Sequence, residues 1–290
     1  VYDVSLLGDY DLDGDISIMD LNTFINGWKS GDLSLELGPT VGNVPNLKPQ
    51  INGSYDIYDA MVFTRMWHWN TNKLSKQQTK MIADQGTSLN AVIEPDHIVF
   101  NPPKGTQAIE LILDYPAMDI QFDIAQEKGI SDEGLALSNV DTLNGRLVYQ
   151  VGYFEENNVP IRINTKHLQK NDIAVNLTYQ FIGEDNRILS AGSEIMDITP
   201  VPSEFALHDN YPNPFNPITT INYDLPKDAY VNLVIYDIMG REVANLASKE
   251  MSAGFQTMTW NARNNAGVLV SAGIYFYQIQ TRDFVKTKKM

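Results

Sequence analysis

The sequence contains no cysteine among its 290 residues and only four histidines. Without thiols there is no disulfide framework, cysteine nucleophile or cysteine-type zinc site. The lack of cysteine does not indicate whether the protein occupies an oxidising or a reducing compartment. The histidines are too far apart to form a local metal motif: His68, His97, His167 and His208. These absences remove the commonest thiol and imidazole chemistries.

Basic residues and long apolar runs are also scarce. Lysine and arginine number 21 against 36 acidic residues, and the net charge of -15 is too negative for a general nucleic-acid binder. No run of 18 apolar residues occurs, so we expect no membrane-spanning helix. The start lacks an initiator Met and a signal-peptide pattern, which predicts a processed product or the tail of a longer protein. The length suggests about two domains.

No catalytic constellation stands out in the sequence. There is no Ser-His-Asp order, phosphate loop or zinc motif. The carboxylate pair Asp132 and Glu133 falls in a polar turn, which is typical of solvated surface. Trp67 and Trp69 flank His68 and could stack on a sugar, but aromatics at the end of an amphipathic helix more often belong to a core. We therefore expect no enzyme.

The most distinctive local feature is a dense acidic stretch, GDYDLDGDISIMD, at residues 8–20. Counted from Asp9, carboxylates occupy loop positions 1, 3, 5 and 12, and Gly14 occupies position 6, which is the EF-hand spacing. A bound Ca²⁺ would relieve the repulsion among these acids, whereas a solvated acidic turn is the alternative. The predicted ligands are Asp9, Asp11, Asp13, Asp15 and Asp20, with position 7 offering its backbone carbonyl.

The loop runs into an amphipathic helix, and the pattern then repeats. The apolar stripe consists of Leu21, Phe24, Ile25 and Trp28. A shift of 39 residues places Asp59 on Asp20 and Asn52 on Asp13, which indicates an internal duplication. In this register Lys48 and Gln50 replace the first two acids, so we expect at most a weak second calcium site at Asn52 and Asp59.

Two loop-helix halves of this kind resemble dockerins, the small calcium-dependent modules that bind cohesin domains, over residues 1–70. The resemblance implies that loop positions 10 and 11 help to select the partner. Here these positions are more apolar than the Ser/Thr pair common in cellulosomal dockerins: Ile18, Met19, Ile57 and Tyr58. A cohesin-like domain of the same chain, a domain of another protein, or no partner all remain open.

After the head, the hydrophobic period changes to two. Six short alternating segments separated by turn residues predict an antiparallel β-sandwich over residues 91–198, after a linker at 73–90. These segments are HIVFNPP, QAIELILDY, MDIQFDIA, GRLVYQVGYF, IAVNLTYQFIG and ILSAGSEIMDI. The segment MDIQFDIA, residues 118–125, resembles an early strand of cohesin-type sandwiches. A generic immunoglobulin-like sandwich is the alternative.

The C-terminal part follows a proline-containing linker at residues 199–209. The ordered run from NYPNPFNP to KTKKM, residues 210–290, resembles the type A C-terminal sorting domain of type IX secretion cargo in Bacteroidetes and related phyla. This resemblance implies an immunoglobulin-like sandwich that the outer-membrane secretion machinery recognises. The alternative is a plain structural sandwich. We expect Tyr211 and Phe215 to pack at its start.

Together these patterns predict a mainly β, multidomain protein with a small α-helical EF-hand-like head at residues 1–72, a central antiparallel β-sandwich and a C-terminal immunoglobulin-like β-sandwich. The expected role is the non-catalytic C-terminal part of a secreted, extracellular or outer cell-surface bacterial protein. One alternative is an assembly module that builds a surface complex, homo-oligomer or filament through a dockerin-cohesin type contact. The other is a carbohydrate-binding or glycoside-hydrolase accessory domain.

Overall fold

The computed structural model describes residues 6–74, 84–86, 88–124 and 129–290. The chain divides into two compact units, Val1–Ile198 and Thr199–Met290. Strands greatly outnumber the two α-helices of the described ranges, so the prediction of a mainly β protein is confirmed. Neither of those helices has the length and apolar character needed to cross a membrane. Most of the predicted linker at 73–90 lies outside the described residues.

The first unit begins with a pair of helices, which we call the head. Helix α1 (Ile18–Ser30) and helix α2 (Ile57–Leu74) are joined by a 3-10 helix at Leu33–Leu35 and by a hairpin of two short strands, β1 (Thr40–Val41) and β2 (Lys48–Pro49). Phe24 of α1 stacks on Phe63 of α2 with ring centroids 5.0 Å apart. The duplicated apolar stripes therefore face each other, as the repeat predicts.

The rest of the first unit is a β-sandwich with the predicted antiparallel pairing. Its strands are β3 (Gln85–Gly86), β4 (Ala91–Glu94), β5 (His97–Phe100), β6 (Ala108–Asp114), β7 (Ile120–Ile124), β8 (Gly129–Ile130), β9 (Gly134–Asp141), β10 (Arg146–Tyr153), β11 (Ile161–His167), β12 (Ile173–Ile182) and β13 (Ile188–Ile198). The large sheet has the order β3-β13-β12-β6-β10-β9-β8, and the small sheet has the order β4-β5-β11-β7. The main core lies between these sheets.

The head packs on the outer face of the large sheet. A second core joins apolar side chains of α1 and α2 to Ala108 of β6, Leu135 and Leu137 of β9, and Val148 of β10. All eight residues of β10 are consequently buried, because one face contacts the small sheet and the other contacts the head. This double burial explains why β6 and β10 read as nearly continuous apolar segments.

The second unit is a smaller sandwich. Its strands are β14 (Ala206–Leu207), β15 (Thr219–Leu225), β16 (Ala229–Asp237), β17 (Glu242–Met251), β18 (Gly254–Trp260), β19 (Tyr275–Gln280) and β20 (Val285–Lys289). They form a sheet of order β14-β15-β18 and a sheet of order β17-β16-β19-β20, with one apolar core between them. Strand β14 pairs with β15, so regular structure starts inside the segment that composition marks as a linker.

Candidate metal centre and helix docking surface

The acidic loop before α1 brings three of the five predicted ligands together. Asp9, Asp11 and Asp13 can each offer a carboxylate oxygen within 4.8 Å of the others. Asp9 is only 5% exposed, and its buried Oδ1 atom has no hydrogen-bond partner among the described residues. Its Oδ2 atom accepts a 3.0 Å hydrogen bond from the backbone N–H of Gly14, which adopts the positive φ of 94° that the turn requires.

The other two predicted ligands lie outside this group of three. Asp20 is buried at the start of α1, where its Oδ2 accepts from the Ser17 backbone at 2.8 Å and its Oδ1 accepts from the Tyr10 backbone at 2.6 Å. Burial raises the pKa of Asp20 to about 6, against the lowering effect of these hydrogen bonds. Asp20 thus ties the loop to the helix N-terminus. Asp15 contributes a backbone N–H to Asp13 at 2.9 Å.

The donor set of the first loop fits a hard divalent cation. Desolvation raises the pKa of the Asp11 carboxyl, and the neighbouring charges of Asp13 and Asp9 raise it further. A cation at the three carboxylates would compensate this repulsion and give the orphaned Oδ1 of Asp9 a partner. Oxygen ligands of this kind suit Ca²⁺ better than a transition metal.

In the second loop, the two residues of the predicted weak calcium site, Asn52 and Asp59, accept hydrogen bonds from backbone N–H groups. Asp59 is fully buried, and its Oδ1 accepts from the backbone N–H groups of Leu37 and Gly38 while its Oδ2 accepts from Asp56 at 2.8 Å. Asn52 accepts from Ser54 through its Oδ1 at 2.9 Å. Both side chains are therefore occupied by the loop's own hydrogen bonds.

A further carboxylate, Glu36, belongs to the second loop and was missed by sequence reasoning. The backbone N–H of Gly53 donates to its Oε1 at 3.0 Å, which repeats the contact of Gly14 with Asp9. Because Leu37 donates to Asp59 as Tyr10 donates to Asp20, Glu36 is the counterpart of Asp9. The β1–β2 hairpin separates Glu36 from Asn52, so a shift of 39 residues places Lys48 there instead. The sequence signal that could have identified Glu36 is a carboxylate placed shortly before the inserted β1–β2 hairpin.

Polar contacts from Asn22 and Asn26, one helical turn apart on one side of the apolar stripe, fix α1 on the sandwich. Asn22 Nδ2 donates to the Gly183 carbonyl at 3.2 Å and to Asn186 Oδ1 at 2.8 Å. Asn26 Oδ1 accepts from Gln107 Nε2 at 2.8 Å. Asn22 is fully buried, so these hydrogen bonds are made away from water and define one docking position of the helix.

Helix α2 is held by a buried polar chain. Trp67 Nε1 donates to Gln150 Oε1 at 2.8 Å, and Gln150 in turn donates to the carboxylate of Glu110. Gln180 donates to the other oxygen of Glu110 at 3.0 Å. Burial raises the pKa of Glu110, and the two amide hydrogen bonds oppose this rise. Because Trp67 is fully buried, its ring cannot stack on a sugar, and the core interpretation of this aromatic holds.

The four predicted partner-binding residues fall into two groups. Ile18 is 1% exposed and belongs to the core shared with the large sheet, and Met19 packs at the margin of the same core. By contrast, Ile57 and Tyr58 are 49% and 53% exposed. The first pair is therefore covered by the chain's own sandwich, whereas the second pair faces solvent.

In the second unit, the proline-rich segment forms one wall of a cleft. The cleft has a volume of about 530 Å³, and its lining includes Pro214, Phe215, Ile274 and Met290. Phe215 packs against Trp260 with ring centroids 5.5 Å apart, as expected. Tyr211 does not pack in this way, because it is 79% exposed and pairs with Thr220 through its backbone.

Comparisons with known proteins support an immunoglobulin-like C-terminal sandwich. The family model described as FlgD Ig-like domain matches residues 217–283. No curated protein sequence matches the chain. The match to the FlgD Ig-like model covers strands β15 to β19 and does not extend into the first unit.

Solved structures with some likeness include two cohesins and dimeric latent PorU. A type II cohesin domain from the cellulosome of Acetivibrio cellulolyticus has 9% identity and a TM-score of 0.31, covering 39% of this chain and 95% of that one. A cohesin module from a Clostridium perfringens family 33 glycoside hydrolase has 11% identity and a TM-score of 0.29, covering 42% and 98%. Dimeric latent PorU from Porphyromonas gingivalis has 14% identity and a TM-score of 0.26, covering 76% and 21%. Scores of this size establish no shared function.

Proposed function

We propose that this chain is the non-catalytic, address-bearing end of a secreted or cell-surface bacterial protein. In this proposal the head is a calcium-stabilised brace that is docked on its own sandwich, and residues 210–290 form a type IX secretion sorting domain. The observation that carries the brace is the buried Oδ1 of Asp9, which lies beside Asp11 and Asp13 and has no hydrogen-bond partner in the described part of the chain. A cation at this point would lock the loop that leads directly into the docked helix α1.

Calcium calorimetry on the full chain tests the brace. Calcium at a hundred times its Kd should stabilise the first unit by about 2.7 kcal/mol, because the ion binds the folded loop only. The variant Asp9→Asn removes the buried ligand and should abolish both calcium heat and the calcium-induced rise in Tm. Asp132→Asn removes an exposed charge elsewhere in the same unit and should leave both unchanged. An equal Tm in chelator and in millimolar calcium would contradict the brace.

The sorting role is supported by the ordered C-terminal motifs and by the independent core of the second unit. A reporter fused to residues 199–290 should cross the outer membrane of a host with a matching type IX system. Gly240 has a φ of 75°, so Gly240→Val should strain its turn and block export. Periplasmic retention of the reporter with a folded domain would leave a plain structural sandwich.

A second candidate function is assembly through the free face of α2. Ile57, Tyr58 and Met61 are each about half exposed, at positions where the repeat-equivalent residues of α1 contact the sandwich. An apolar patch of this kind commonly marks a protein contact. The proposed assembly uses this face of α2, because that of α1 is already covered in cis.

Sedimentation velocity at increasing protein concentration tests self-assembly through this face. The expected association should be lost in Met61→Asp and kept in Leu143→Asp, which charges an apolar residue that is 90% exposed in the central sandwich. If wild type and both variants sediment as monomers throughout, self-assembly is excluded.

A further inference from the structure

Asp9 and Glu36 occupy matching places in the two halves of the head, but their second oxygens differ. Oδ1 of Asp9 is buried and accepts no hydrogen bond from any residue that the structure describes. In Glu36, by contrast, Oε1 accepts from the backbone N–H of Asn52 at 2.6 Å and of Gly53 at 3.0 Å, and Oε2 also lies 3.1 Å from the Gly53 nitrogen. The additional methylene of glutamate lets one carboxylate reach two successive N–H groups.

In the second loop, the counterparts of Asp11 and Asp13 carry no charge. The residue two places after Asp9 is Asp11, whereas the residue two places after Glu36 is Gly38. The counterpart of Asp13 is the neutral Asn52. Among the described residues, the three-carboxylate group at Asp9 has no equivalent in the second half.

Glu36 and the two residues after it also hold the second loop closed through hydrogen bonds. Its carboxylate binds the segment before α2, and the next residues, Leu37 and Gly38, donate their backbone N–H groups to Asp59 in the first turn of α2. Glu36 is 6% exposed, so its hydrogen bonds to backbone donors are charge-assisted and poorly accessible to water. Hydrogen bonds thus connect residues 36–38 both to the segment before α2 and to the first turn of α2.

We propose that Glu36 is an internal replacement for a metal ion: it latches the second loop shut, so that the head takes one Ca²⁺ and the start of α2 folds independently of calcium. The single-ion part rests on the proposed calcium site in the first loop. The latch part does not, because it depends only on contacts within the second half.

The experiment compares Glu36→Gln with Asp9→Asn in the full chain, each melted in EGTA and in millimolar calcium. Glutamine keeps the length of Glu36 but turns charge-assisted hydrogen bonds into neutral ones, which should lower the Tm of the first unit by about 2–4 °C. This shift should be equal in both solutions. Asp9→Asn should instead erase the calcium-induced rise. Titration calorimetry of wild type and of Glu36→Gln should give one calcium per chain with affinities within about threefold.

Three outcomes would overturn the latch: two calcium ions per wild-type chain, a Tm loss in Glu36→Gln that appears only with calcium, or no Tm loss in either solution. Circular dichroism of Glu36→Gln confirms that the compared species are folded, and Glu36→Asp, which shortens the reach, provides a second variant if it is not. If wild-type protein binds no calcium, the proposed brace fails, whereas the EGTA melts still decide whether Glu36 acts as a latch.

Discussion

His167, the last residue of β11, places in the central sandwich a titratable ring that has no hydrogen-bond partner among the described residues. Both ring nitrogens are buried and lack hydrogen bonds, and burial lowers the pKa of the imidazole below its usual value. The folded state therefore holds the neutral ring, whereas the unfolded chain takes up a proton below about pH 6.5. The contribution of His167 to stability is complete above that pH and is lost as the pH falls toward the lowered folded-state value.

We expect His167→Leu to weaken the acid sensitivity of the first unit. Urea unfolding at pH 7 and pH 5 measures the loss of stability on acidification, and this loss should be smaller in the variant than in wild type, because leucine binds no proton. An identical pH dependence in wild type and His167→Leu would show that the buried imidazole does not titrate on unfolding.

At the scale of elements, the close approach of α1 to the large sheet depends on Gly152 in β10. A Cβ atom at this position would lie 2.7 Å from Cγ1 of Ile25 and 3.3 Å from Cγ of Leu21. Gly152→Ala should therefore destabilise the first unit by about 1–3 kcal/mol, because the helix must shift outward. Removing the obstructing side chain with Ile25→Ala should relieve part of this cost.

A double-mutant cycle by urea unfolding measures that relief. The combined variant should be more stable than the sum of the single effects predicts, by about 1 kcal/mol or more. Pairing Gly152→Ala with Phe24→Leu is the control, because Phe24 stacks on Phe63 inside the head and should give additive effects. Additivity in both cycles would mean that Ile25 does not set the helix-to-sheet distance.

Elements with strong apolar periodicity could be predicted from the sequence, and those whose pattern is diluted could not. Strands β6, β10, β12 and β13 follow the predicted segments closely. Strand β11 was not predicted, because its inward-facing residues change from the apolar Ile161 and Ile163 to the polar Thr165 and His167.

The candidate site was only partly visible for a different reason. Spacing within one loop identifies Asp9, Asp11 and Asp13, because a local motif keeps its register. The β1–β2 hairpin interrupts the second loop. A constant shift of 39 residues therefore aligns Lys48 with Asp9, although Glu36 occupies the position that corresponds to Asp9. The docking of the head on its own sandwich was one of several open alternatives, since the contacts join residues more than 60 positions apart, such as Thr71 and Asn139 or Trp67 and Gln150.

At the scale of the whole molecule, the head and the central sandwich share a core. The outer face of the large sheet contributes Leu135, Leu137 and Val148 to this core, and each is at most 9% exposed. Loss of the head would uncover a contiguous apolar surface of a kind that monomeric proteins rarely tolerate. The head is therefore expected to act as a permanent cover for the sheet.

Cleavage of the chain between the head and the sandwich tests this role directly. A specific protease site inserted within residues 75–83 would separate the two parts covalently, and size-exclusion chromatography would then report whether they remain together. We expect the cut wild-type protein to elute as one species, because the shared core and the hydrogen bonds of Asn22 and Trp67 persist without the connection. In cut Gly152→Ala the weakened docking should release part of the head, and the freed sandwich should aggregate. Clean release of the head from cut wild type, with a monomeric and soluble sandwich, would show that the head is a detachable module.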